Sequence, residues 1–142
     1  MSSVEDKLEV TELLYRYAEL IDAGDFDGVG ELLGRGSFMG VAGAPAIAKL
    51  FAHTTRRFPD HGNRTRTRHL VLNPIVDVED VQATARSTFV VVQKTDTVPL
   101  QPIVVGRYAD VFARDEHGWY FTERTVDVEM VGDVSDHLMI PV

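Results

Sequence analysis

"QPIVVGRYADVFARDEHGWYFTERTVDVEMV", residues 101–131, is two long runs of valine, threonine and aromatic side chains joined by the short break "EHG". β-Branched and aromatic residues suit a pleated, half-buried surface, and so short a glycine-bearing break is hairpin punctuation. Two runs of the same texture come before it, "HLVLNPIVDVE" at 69–79 and "QATARSTFVVVQK" at 82–94, with "DV" and "TDTVP" as separators. Four strands in succession with short connections predict an antiparallel meander.

Upstream of His69 the period changes. Val10, Leu14, Tyr17 and Ile21 recur at helical spacing, and Leu13 and Leu20 widen the stripe. Ser2 or Ser3 stands where a cap is wanted, and Gly24 where a left-handed residue ends the helix. Asp25 is then the N-cap of a short second helix through Leu32 and Leu33, which "GRGSFMG" breaks. A third helix starts in "GAPAIAKLF", with Pro45 in its first turn, and is expected to run to about Phe58, before Pro59. Helices followed by a meander define an α+β fold, a curved antiparallel sheet wrapped over three N-terminal helices. The concavity between the layers is where a pocket for a small molecule is expected. The tail "GDVSDHLMIPV" is apolar enough to pack, without a place assigned to it.

The 142 residues have the length of one domain, and 44% hydrophobic with 25% charged residues is a globular composition. Fourteen basic against twenty-two acidic residues give a net charge of −8, which argues against nucleic acid or an anionic membrane as partner. There is no cysteine, hence no disulfide, thiolate nucleophile or cysteine-bound metal. The opening "MSSVEDKLEV" has no basic-then-apolar leader and no run approaches a membrane span, so a cytoplasmic protein is expected.

Several polar residues stand out against this background. Asp22 closes the apolar stripe of the first helix, where the helix dipole disfavours a carboxylate. His69 opens the first long strand, where helix and sheet meet. A nearby imidazole would account for Asp22: a carboxylate accepting from one ring nitrogen fixes the tautomer and leaves the other nitrogen as a base. Arg64, Arg66 and Arg68 alternate with Thr65, Thr67 and His69, and read as a solvated strand edge or as an anion-binding rim. The remaining histidines, His53, His61, His117 and His137, show no paired metal spacing, so no metal is expected. Tyr17 lies about 140° round the helix from Asp22 and is either a core tyrosine or a pocket residue. Arg124 shares a strand face with Val126 and Val128 and must meet an anion, from the protein or from a substrate.

"LLYRYAELIDAGDFDG", then "TRHLVLNPIVDV", then "GRYADVFARDEHGWYFTERTV" resemble, in this order, the SnoaL-like branch of the nuclear-transport-factor-2-like superfamily. The resemblance covers the chain to about Val128. It implies one α+β domain over residues 1–142, with a cone-shaped sheet, a deep apolar pocket, and dimers or higher oligomers through the sheet's outer face. The branch includes dehydratases, dehydrochlorinases, polyketide cyclases and isomerases that need no cofactor, and also non-catalytic dioxygenase subunits. Asp22 and His69 match the catalytic Asp–His dyad of the dehydratase and dehydrochlorinase members. Arg124 matches an active-site arginine, and Tyr17 stands where one relative has a lysine and the isomerase an oxyanion-stabilising tyrosine. "SFMG" lacks the isomerase's aspartate base, and "STFVVVQK" lacks the dehydratase's second histidine. The expectation is a lyase, isomerase or cyclase acting on a small apolar, aromatic or polycyclic substrate. The alternative is a non-catalytic ligand-binding or assembly module.

Overall fold

The structure, a computed structural model, describes residues 3–141. Helices α1 (Ser3–Ala23) and α2 (Phe26–Leu33) are followed by two short strands, β1 (Ser37–Phe38) and β2 (Val41–Ala42), and by α3 (Ala44–Thr54). Four long strands complete the chain: β3 (Thr67–Glu79), β4 (Gln82–Gln93), β5 (Gln101–Asp115) and β6 (Gly118–Val131). α1 buries Val10, Leu13, Leu14, Tyr17 and Ile21, the stripe read from the sequence. Ser3 begins that helix, and Ser2 lies outside the described residues. Gly24 ends it with φ 74°, and a side chain there would strike the carbonyl of Asn63. The Asp25 carboxylate accepts from the Gly28 amide at 2.9 Å, so the expected cap forms.

The sheet runs in the order β2-β1-β6-β5-β4-β3 and is unclosed. β3 to β6 form the antiparallel meander, but β1 runs parallel to β6, pairing Ser37 with Glu123 and Phe38 with Arg124. The sheet is therefore mixed rather than wholly antiparallel. Gly36 permits the pairing, because a Cβ there would meet the Thr122 backbone. Register shifts within β3/β4, β4/β5 and twice within β5/β6 bend the long strands around the helices. One of them, between Val111 and Phe112, moves the inward face of β6 from Trp119 and Phe121 to Arg124 and Val126.

α3 stops at Thr54, short of the expected Phe58. Thr55 is extended and bridges Leu138 of the tail, and Phe58 bridges Arg64, so backbone groups that would have continued the helix pair elsewhere. The tail is thereby placed. It leaves β6, returns along the end of α3, and donates the Met139 amide to the Thr54 carbonyl at 2.9 Å. Among the described residues no helix is long and apolar enough to cross a membrane.

Candidate active site

At the C-terminus of α1, three protein donors converge on the Asp22 carboxylate. The His69 backbone N–H donates to Oδ2 at 3.0 Å and to Oδ1 at 3.2 Å, and the Thr67 hydroxyl donates to Oδ1 at 2.8 Å. His69 Nδ1 stands 2.7 Å from Oδ1. These contacts offset the unfavourable end of the helix dipole. The Thr65 hydroxyl lies 2.6 Å from that of Thr67 and 3.3 Å from the carbonyls of Ile21 and Asp22, which are alternative acceptors for its one proton. The alternation of "TRTRH" thus has a structural sense. Thr65 and Thr67 are buried against the helix end, and Arg64 and Arg68 are exposed.

Asp22 and His69 keep side-chain exposures of 11% and 8%, and the imidazole also lines an apolar cavity of about 280 Å³. Tyr17 and Ile21 from α1, Phe38 from β1, Phe51 from α3, and Phe89 and Tyr108 from the sheet form much of its wall. The Tyr17 ring stands edge-on to His69 with centroids 6.5 Å apart. Burial pushes the Tyr17 hydroxyl up to about 12 against the pull of Arg124, so it stays protonated and able to donate.

Arg124, expected at the substrate, is not among the residues lining the cavity. It is fully buried behind the wall, its guanidinium carbon 3.6 Å from the Tyr108 ring centre and 4.1 Å from that of Tyr17. Its counter-charge is Asp110 on the neighbouring strand, at 3.3 Å. The physical reason is register: Asp110 and Arg124 are cross-strand partners on the inward face. Burial raises the Asp110 carboxyl to about 6 while Arg124 holds it down, so the pair is ionised at neutral pH.

Sequence reasoning passed over His137. The tail carries it into the cavity, 6% exposed, with its ring centroid 6.0 Å from that of His69. Nothing in the spacing of "SDHLMIP" pointed there; the signal was an apolar tail bearing a histidine. Two grooves of about 430 Å³ each also reach the dyad: both are lined by Asp22 with Arg64 and Arg68, and one of them by His69 as well. Among the described residues, no group of three or more His, Cys, Asp or Glu side chains converges as a metal would require.

A curved, unclosed sheet over three helices, with an apolar cavity reached by an Asp–His pair, defines an NTF2-like, cystatin-like α+β architecture. The chain belongs to the SnoaL-like domain family, whose profile matches residues 2–125. No curated protein matches it. Among solved structures, an NTF2-like protein with a cystatin-like fold from Novosphingobium aromaticivorans is 26% identical, with a TM-score of 0.71 over 94% of this chain and 87% of that one. A candidate scytalone dehydratase from the same organism is 19% identical, TM-score 0.71, over 92% and 88%. A protein from Catenulispora acidiphila, solved in complex with S-DNPA, is 20% identical, TM-score 0.69, over 89% and 95%.

Proposed function

We propose that the protein is a cofactor-independent lyase, isomerase or cyclase in which Asp22 and His69 form a general-base dyad acting on a small apolar or aromatic molecule. The observation that carries this reading is the 2.7 Å contact between His69 Nδ1 and Asp22 Oδ1 on an imidazole that also lines the cavity. With Nδ1–H given to the carboxylate, Nε2 keeps its lone pair and is free to take a proton from carbon or oxygen. Asp22 then stabilises the imidazolium that forms. Tyr17, protonated over the working range, donates to developing negative charge. Arg124 contributes through the Tyr17 and Tyr108 rings it packs against, as a positioning residue.

The test has two readings in one set of samples. Imidazole nitrogen shifts should report the Nδ1-protonated tautomer of His69 in the wild type and its loss in Asp22→Asn. On a panel of cyclic ketones in heavy water, proton exchange next to the carbonyl should fall about 10²–10⁴-fold in His69→Ala. An unchanged tautomer with unchanged exchange would sink the dyad.

A second reading, an assembly module, is favoured by the sheet's outer face. Leu70, Val90, Val105 and Met130 are cross-strand neighbours in one row, with Leu70 42% and Met130 60% exposed. The two readings are compatible: we place a homodimer contact on that row and the dyad on the other face of the same sheet, in a cytoplasmic protein.

A further inference from the structure

We propose that His137, on the C-terminal tail, is the specificity-determining residue that recognises the oxygen of an uncharged aromatic or cyclic ligand in the cavity. The inference rests on the reading that this cavity is the ligand site, and it adds a residue and a charge requirement to it.

The first support is position. His137 and His69 meet edge to face at one cavity, at an interplanar angle of 61°, one from the C-terminal tail and the other from β3. A ligand lying against the aromatic wall would meet both rings. The second is preorganisation. The His137 carbonyl accepts from the Arg56 amide at 2.8 Å, and its own N–H donates to Val134 at 3.1 Å. One residue earlier, the Asp136 carboxylate accepts the Thr95 and Thr97 hydroxyls at 2.5 and 2.6 Å. The backbone that carries the ring is thus held by the tail's own turn and by two other segments of chain, at Arg56 and at Thr95–Thr97.

The third support is an unspent hydrogen bond. His137 Nδ1 is buried and has no partner in the protein. Sealed off in this way, Nδ1 does not face the cavity, and the ring's other nitrogen, Nε2, is the atom left to meet an occupant. His69 differs, because its Nδ1 is committed to Asp22. The fourth is charge. Burial, and then the neighbouring His69, hold the His137 imidazole down to about 4, with Asp22 pulling the other way. The other titratable groups on the cavity are Tyr17 and Tyr108, both kept neutral by burial. A neutral imidazole has one donor and one acceptor, enough to grip a hydroxyl or carbonyl oxygen without a counter-charge. No Lys, Arg, Asp or Glu lines the cavity among the described residues. A carboxylate or phosphate entering it would lose its water and find no cation.

The probes are 2-naphthol and 2-naphthoate, one ring system in neutral and anionic form, titrated into the full chain at neutral pH. The measurements are affinity and the imidazole nitrogen shifts of both histidines. Naphthol should bind and move the His137 nitrogens, and naphthoate should bind at least about tenfold more weakly, as expected for an anion desolvated without a partner. His137→Phe, which keeps a ring in place, should lose about tenfold in naphthol affinity, the scale of one hydrogen bond. The wild-type shifts stand on their own if that variant folds poorly. Absence of naphthol binding, equal affinity for naphthoate, or His137 nitrogens unmoved at saturation would overturn the assignment. Naphthol that binds and moves only His69 would remove His137 and leave the dyad standing. A wrong His69 tautomer in the unliganded protein would remove the dyad and leave His137.

Discussion

Arg124 and Asp110 illustrate how a residue's meaning depends on register. An arginine between apolar neighbours on a strand is a visible oddity in the sequence, and it demands an anion. What the sequence leaves open is whether that anion is a ligand or the protein, because the answer lies on another strand, fourteen residues back. In the structure the two side chains are both fully buried and 3.3 Å apart. Neither Asp110 oxygen nor any of the guanidinium nitrogens has a well-formed hydrogen bond. Such a pair adds little net stability over apolar residues, but removing one member strands the other. Asp110→Asn should therefore cost about 3–5 kcal/mol in chemical denaturation, while Asp110→Leu combined with Arg124→Met should recover most of it. Equal losses in the single and double variants would mean that the carboxylate matters by its shape and not its charge. Asp22 shows the opposite case. Its position at a helix end and the histidine opening the first long strand were both legible, and their 2.7 Å contact follows from the helix crossing that strand.

At the scale of elements, long periodic segments were legible and short or non-local ones were not. α1, α2 and the four long strands carry a repeating signal over many residues. β1 and β2 are two residues each, too short for any period, and exist because Gly36 lets the chain reach β6. The end of α3 is likewise decided from outside, by the tail that bridges Thr55. The tail has a pH signature of its own. In the unfolded chain His137 titrates near the ordinary histidine value of about 6.5. In the folded protein burial holds it at about 4. Between the two the unfolded chain takes up a proton that the folded chain refuses, so stability falls as pH falls through that window. Asp110 works the other way: its raised value, about 6, means that acidification toward the ordinary carboxylate range favours the folded chain. The two trends oppose each other, and the wild-type profile alone cannot separate them. The difference between wild type and His137→Phe can, since Asp110 is common to both. Urea midpoints should fall more steeply with acidification in the wild type, by on the order of 3 kcal/mol over the window at about 1.36 kcal/mol per pKa unit. Parallel profiles would place the His137 ring in water.

For the whole molecule, the sheet has two unlike faces. Its inner face closes on the helices and the cavity, and its outer face presents the row Leu70, Val90, Val105 and Met130, with Leu72 beside it 40% exposed. The alternation of valine with arginine, glutamine and threonine in the sequence left this face looking mixed. The row becomes visible only when register sets one apolar residue from each of four strands side by side. A sheet face of this kind, laid against a second copy by a two-fold axis, buries the same row twice. Each copy brings a net charge of −8, so the long-range electrostatic contribution opposes the contact while apolar burial favours it. Screening weakens only the first. Association measured by sedimentation equilibrium should therefore tighten as salt rises from low to physiological strength, the reverse of a contact held by surface ion pairs. Val90→Lys should weaken it at every salt concentration, since it puts an unpaired charge in the middle of the row, while leaving the His69 tautomer unchanged. A dimer that loosens with salt would move the contact to the charged edge around Arg64 and Arg68. A chain that stays monomeric throughout would leave the apolar row without a second copy to cover it.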